Sequence, residues 1–283
     1  MIERQRGWDA LSHGTLWLGV ALIGFPLYLA LVASTHSAQA MAQSPIPLWF
    51  GDQAWNNFRT VLLGEGPGVT SQLPVWRMLW VSTVTALLIP FGKIVISLLS
   101  AFAIVYFRFP FRQAVFWAIF ITLMLPVEVR IVPTYQVMAD FGLINTYAGL
   151  TLPLMASATA TFLFRQFFLT VPDELVEAAR MDGASPMRFF WDVLLPLSRT
   201  TIAALFVIQF IYGWNQYLWP LLMSTREEMY PIVVGIRSMV AGADAQVQWN
   251  LVMTTAVLAL VPPAAVVVLM QRWFVKGLVD TDK

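Results

Sequence analysis

Six stretches of the chain, at about 13–33, 80–106, 114–134, 148–168, 201–223 and 252–273, are continuously apolar and separated by polar, proline- and glycine-bearing segments. Each is close to the ~20 residues a helix needs to cross ~30 Å of hydrocarbon. The pattern predicts an all-α integral membrane protein with six transmembrane helices. The second run starts as early as Trp76, longer than a simple crossing requires, so it is expected to tilt or to project from the bilayer. Arg108-Phe-Pro-Phe-Arg112 leaves room only for a tight turn between the second and third helices.

The first run has the look of a secretion signal, because Ala38-Gln-Ala40 resembles a cleavage site. The apolar stretch from Gly14 to Ala33 exceeds a signal core of roughly 7–15 residues, so a retained anchor is expected. Cations then give the orientation. With the N-terminus inside, Arg4, Arg6, Arg108, Arg112, Arg165, Arg180, Arg188, Arg199, Arg272, Lys276 and Lys283 fall on the cytoplasmic side. Arg59, Arg77, Arg130, Arg226 and Arg237 fall toward the outside, and Lys93 alone sits mid-span. The excess inside places both termini in the cytoplasm, as an even number of spans requires. Two loops, 34–75 and 224–250, are left outside, and the first is large enough to touch an external partner.

Composition agrees with the pattern and removes several functions. Hydrophobic residues make up 58% of the 283 and charged residues 12%, against about 25% charged in soluble domains. A net charge of +1 gives no reason to expect nucleic acid. Cysteine is absent and there are two histidines, which excludes disulfides, thiolate metal sites and a histidine relay; no cofactor is expected. A phosphate-cradling P-loop needs Gly, four residues, then Gly-Lys-Ser/Thr. Gly92-Lys93 is followed by Ile94, with Leu87 where the first glycine belongs. Any ATP that drives this protein must be bound elsewhere.

The segment Val171–Pro196 is strongly punctuated. Pro172, Asp173 and Glu174 suit the first turn of a helix, where a missing N–H is harmless and negative charge meets the dipole. Gly183 suits the left-handed residue that ends that helix. Ser185 and Pro186 then suit the cap and first position of a second helix, and Pro196 the start of the fifth span. A compact helix-turn-helix at the cytoplasmic face is expected. Glu177 and Arg180 flank the small Ala178 and Ala179, a composition suited to close approach by another protein; an ordinary amphipathic surface pair is the plainer alternative.

Three charges lie at membrane depth. Counted from the 108–112 turn at 1.5 Å per residue, Lys93 and Glu128 are both roughly 20 Å from the inner interface, and Arg130 slightly farther. Intramembrane charges face protein or water. A structural Lys93–Glu128 pair, an anion-facing role for Lys93 or Arg130, and interfacial snorkelling all remain open.

Glu177-Ala178-Ala179, Gly183 and Leu195-Pro196 resemble the EAA loop of ABC importer permeases, in which this loop forms a coupling helix on the ATP-binding subunit. Tyr212-Gly-Trp-Asn-Gln-Tyr-Leu-Trp-Pro-Leu221, Gln271-Arg-Trp-Phe-Val-Lys-Gly277 and Phe107-Arg-Phe-Pro110 are similar to the carbohydrate-importer permeases related to the maltose system's second subunit. Within that family, Leu125-Pro-Val-Glu-Val-Arg-Ile-Val-Pro133 and Tyr147–Phe162 resemble permeases of sn-glycerol-3-phosphate importers. The resemblance is weakest across 36–75.

It implies a MetI-like fold in the bacterial inner membrane. Residues 1–75 would be an N-terminal helix and periplasmic loop, 76–275 the transmembrane core with its coupling loop near 170–200, and 276–283 a cytoplasmic tail. It also implies a second homologous permease, two ATP-binding subunits and a periplasmic solute-binding protein as partners, with alternating access driven through Glu177, Ala178, Ala179, Arg180, Asp182, Gly183 and Pro196. Trp214, Asn215 and Gln216 would lie near the pathway, although an aromatic belt at the lipid interface also accounts for the tryptophans. A permease for a neutral sugar or disaccharide is the nearest alternative. An ion-coupled secondary transporter and a membrane anchor without a pathway are more distant ones.

Overall fold

The computed structural model describes residues 6–64, 74–122, 125, 127–241 and 247–279, and no strand occurs among them. Helix α1 (Arg6–Ala33) is followed by the short α2 (Ala38–Ala42) and α3 (Ala54–Leu63), then by the long α4 (Val75–Tyr106). Next come α5 (Arg112–Ile121), α6 (Val127–Asp140), α7 (Tyr147–Met155), α8 (Ala158–Leu169) and α9 (Asp173–Met181). The chain closes with α10 (Pro186–Phe189), a π turn at Phe190–Leu194, α11 (Leu195–Leu197), α12 (Arg199–Trp214), α13 (Leu218–Met223), α14 (Ile232–Ala241) and α15 (Trp249–Val279).

Among the described residues, three helices are long and apolar enough to cross a membrane, and up to five spans result if each of two bent pairs is one crossing. The three are Leu11–Ala33, Val75–Tyr106 and Trp249–Gln271; the bent pairs are α7 with α8, at 46°, and Pro186–Leu197 with α12, at 70°. The apolar runs expected at 114–134, 148–168 and 201–223 are thus not continuous helices. The first is divided into α5 and α6, with Pro126 in the sequence between them. The second stops because Ser157 takes an extended backbone and its hydroxyl accepts from Ala160 N–H at 3.3 Å, which starts a new helix. The third ends at Trp214, since a helix continued through Pro220 would drive its ring into the carbonyl of Gln216.

The chain divides into two compact units: Met1–Arg77 with Gly235–Val261, and Met78–Val234 with Pro262–Lys283. In the first, the buried Asn57 amide donates to the carbonyls of Ser34 and His36, at 2.9 and 2.8 Å, and accepts from Asn250 Nδ2 at 3.1 Å. Thr254 Oγ1 donates to Asn250 O. These bonds fasten the loop after α1 to the start of α15. Tyr28 donates to Leu48 O and meets Phe50 edge-on. On α1, Leu16, Trp17, Leu18, Leu22 and Ile23 remain exposed, apolar area that a bilayer or a neighbouring subunit must cover.

Two apolar clusters stand out among the described residues of the second unit. Ile94, Leu98, Ala101 and Phe102 of α4 pack with Ala160, Phe164 and Phe168 of α8, with Phe189, Phe190 and Leu194, and with Leu205 of α12. Val81, Leu150, Trp219 and Met223 form the other. There Trp219 Nε1 donates to Gly149 O at 3.1 Å, while a Cβ on Gly149 would meet Leu143 O at 2.1 Å, so this close approach requires glycine.

Candidate functional site

Residues 171–198 fold largely as their punctuation predicts. Asp173 and Glu174 occupy the first turn of α9 and Arg180 the last. Gly183 has φ +70°; across it Ala184 N–H donates to Ala179 O at 2.9 Å and Gly183 N–H to Arg180 O at 3.0 Å, the two bonds of a Schellman ending. Ser185 Oγ accepts from Arg188 N–H at 3.3 Å, with Pro186 at the first position of α10. Val176 and Ala179 turn inward onto the aromatic cluster, which leaves Glu177, Ala178, Met181 and Asp182 exposed. The two alanines therefore differ: Ala178 faces out, and Ala179 is small so that α9 can lie against the cluster. Between α9 and the end of α4 is a cavity of about 230 Å³, with Arg108 and Arg180 in its lining beside Phe102 and Tyr106.

Pro196 does not begin the fifth span. It lies in α11, after a widened turn in which Leu195 N–H donates to Phe190 O, five residues back. That π geometry brings the chain to a residue with no N–H to offer. The sharp bend follows at the buried Ser198, whose hydroxyl donates to Leu194 O at 2.6 Å, a back-bond that bends helices.

At the level of Lys93, the break between α7 and α8 opens a cavity of about 540 Å³. Lys93, Arg130, Gln209 and Tyr212 belong to its polar lining, with hydroxyls from Ser100, Thr122, Ser157, Thr159 and Thr161. Lys93 is 7% exposed; its Nζ donates to Gln209 Oε1 at 2.7 Å and lies 4.1 Å from the centre of the Tyr212 ring. Both contacts stabilise an ammonium and neither carries negative charge. Ser97 Oγ reaches Ser157 O at 3.4 Å, and Met155 covers Gly92, where a Cβ would meet its Sδ at 2.4 Å. The Lys93–Glu128 pairing expected from matching depth rests on the Glu128 side chain, which lies outside the described residues.

Of the three charges expected at this depth, Lys93 and Arg130 therefore meet in one lining. Trp214, Asn215 and Gln216 are not part of it. Trp214 is 2% exposed and stacks on Phe210 at 5.9 Å. Asn215 caps α12, and Gln216 Nε2 donates to Tyr212 O. Gln209 does not stand out from motif or spacing. The signal that points to it is its being the one amide in the apolar run Thr201–Ile211, since polar side chains within a span face protein or a pathway.

Broken apolar spans, a polar cavity at membrane depth and an exposed two-helix loop define the membrane subunit of a solute transporter. Residues 93–280 match the model of the binding-protein-dependent transport system inner membrane component, and the chain belongs to that family. It is 59% identical to a protein of Brucella melitensis biotype 1 over 100% of both chains, 59% to one of Rhizobium meliloti and 58% to one of Salmonella typhi. Each of the three is named sn-glycerol-3-phosphate transport system permease protein UgpE. The fold is also that of a chain in the crystal structure of a bacterial ABC transporter involved in the import of the acidic polysaccharide alginate. There the TM-score is 0.78 at 21% identity, covering 97% of this chain and 99% of the other. The chain thus has the MetI-like permease fold.

Proposed function

We propose that this chain is one permease half of an ATP-driven importer that carries sn-glycerol-3-phosphate, or a related glycerophosphodiester, across the inner membrane by alternating access. The observation that carries the substrate reading is the mid-membrane cavity with both Lys93 and Arg130 in its lining. A phosphate ester carries one to two negative charges, which are costly to leave unmatched in low dielectric. Arg130 suits paired hydrogen bonds to phosphate oxygens and Lys93 acts as a point charge. End-to-end identity of 59% to relatives named for that solute supports the same reading.

In this reading α5 and α6 together complete a sixth crossing, both termini face the cytoplasm, and 276–283 is a cytoplasmic tail. A second permease, two ATP-binding subunits and a periplasmic solute-binding protein complete the complex. The α9–α10 loop docks on an ATP-binding subunit through Glu177, Ala178, Arg180 and Asp182. ATP binding closes the ATPases, and contacts that differ between the two states at α9 turn the pathway outward. The test is uptake by the purified complex in vesicles, with ATP inside and binding protein outside, offered labelled glycerol-3-phosphate and labelled maltose. Import of glycerol-3-phosphate alone supports the proposal; import of maltose alone replaces it with a neutral-sugar permease.

A further inference from the structure

We infer that Gln209 is a specificity-determining residue: its uncharged amide holds the Lys93 ammonium in the cavity lining without cancelling its charge, and so keeps the cavity selective for anions. The inference rests on the reading of this cavity as the solute site.

A buried ammonium within a span ordinarily pairs with a carboxylate. Here the hydrogen-bond acceptor is an amide oxygen at 2.7 Å, and the second contact is an aromatic face at 4.1 Å. Both hold Lys93 and both leave its charge in place. No Asp or Glu occurs among the described residues of the lining, whereas Lys93 and Arg130 both do. An amide has a second property that a carboxylate lacks. While Oε1 accepts from Lys93, Nε2 carries two protons to donate, so one group serves the ammonium and an incoming oxyanion together. Glutamate has nearly the same shape and differs by one negative charge and by the loss of those donors. The volume of about 540 Å³ lies within the range of small-molecule sites.

The experiment uses the complete importer in vesicles, with ATP inside and labelled sn-glycerol-3-phosphate and binding protein outside. Gln209→Glu is expected to lower uptake at least tenfold, and Gln209→Ala, which loses the amide's acceptor and donors but adds no negative charge, to lower it distinctly less. A purely structural role gives the opposite order, since Glu fills the same space and binds Lys93 more strongly, while Ala leaves a gap. Subunit co-purification and basal ATP hydrolysis of each variant control for assembly.

A second variant avoids any folding defect of Gln209→Glu. The chain has no native cysteine, so Gln209→Cys, assembled with cysteine-free partners, can be converted after reconstitution. A methyl methanethiosulfonate adduct is expected to leave uptake at the level of the unmodified Gln209→Cys importer and an anionic sulfonatoethyl adduct to abolish it. Wild-type uptake by Gln209→Glu, a larger loss in Gln209→Ala, or equal effects of the two adducts would overturn the inference. Lys93→Met run alongside separates the two levels: unimpaired uptake in that variant removes the solute-site reading itself.

Discussion

Ala184 N–H donates to Ala179 O at 2.9 Å, closing a turn whose central residue, Gly183, sits at φ +70° with open space where a Cβ would be. Backbone alone fixes this residue type, because crowding is absent. The left-handed conformation costs an L residue about 1–2 kcal/mol, more for a β-branched one, and asparagine tolerates it. Gly183→Val is therefore expected to insert normally, lose association with the ATP-binding subunits and import nothing, while Gly183→Asn keeps most of its uptake. Immunoblots of membranes, co-purification and uptake measure the three. Wild-type uptake by a Gly183→Val, Glu177→Lys double variant removes the coupling role of this loop.

Topology is open to direct labelling. Asp52, Glu227 and Ser185 are all exposed in the chain, and the absence of cysteine makes single substitutions unambiguous. An impermeant thiol reagent outside intact spheroplasts is expected to label cysteine at 52 or 227 and to spare cysteine at 185. Labelling at 185 reverses the orientation derived from the cations.

The two lining cations make separable predictions. Lys93→Met and Arg130→Gln are each expected to lower glycerol-3-phosphate uptake about tenfold or more, a loss of roughly 1.4 kcal/mol, with assembly and nucleotide binding intact. If Lys93 serves only to pair with Glu128, adding Glu128→Gln to Lys93→Met restores transport. Rescue decides for the structural pair, and failure of rescue decides for the solute.

Asn57 predicts a stability effect confined to the first unit. Asn57→Ala takes its donor from the carbonyl of His36, leaves that of Ser34 only the longer bond from Thr254 Oγ1 at 3.4 Å, and removes the acceptor of Asn250 Nδ2. Each orphaned buried group costs about 1–3 kcal/mol. A lower Tm in detergent is expected, with unchanged labelling at residue 185. An unaltered Tm shows that water replaces the amide.

What is legible in the sequence and what is not divide along a physical line. Pro172, Gly183, Ser185 and Pro186 act on their own backbone within a turn or two, so the α9–α10 loop can be read residue by residue. The depth match of Lys93 and Glu128, with Arg130 slightly farther, follows from helix rise alone. The interruption at Ser157 is hidden because alanine, serine and threonine on either side keep the run apolar enough for a span while also permitting a cap. The π turn before Pro196 arises from hydrogen-bond geometry that composition does not record. Gln209 depends on the rotation of α12 against α4, which no one-dimensional pattern specifies. Trp214 is hard to place for a related reason: an aromatic near a span end suits a lipid interface, and its i,i+4 neighbour Phe210 on α12 covers only one side, so its burial depends on packing against other helices.

The aromatic cluster links two places that function would otherwise treat apart. Val176 and Ala179 of α9 press on it from one end, and Ile94, next to Lys93, belongs to it at the other. From Phe102 to Lys93 is about 13 Å along α4 at 1.5 Å per residue. Side chains packed at crystal-like density have little compressibility. A push on α9 therefore cannot be absorbed on the way; it must either move α4 bodily or open voids between phenylalanine rings. On the proposed reading of α9 as the docking helix, the unit is built as a gear train with little backlash, in which a displacement there is passed on through packed rings toward the cavity.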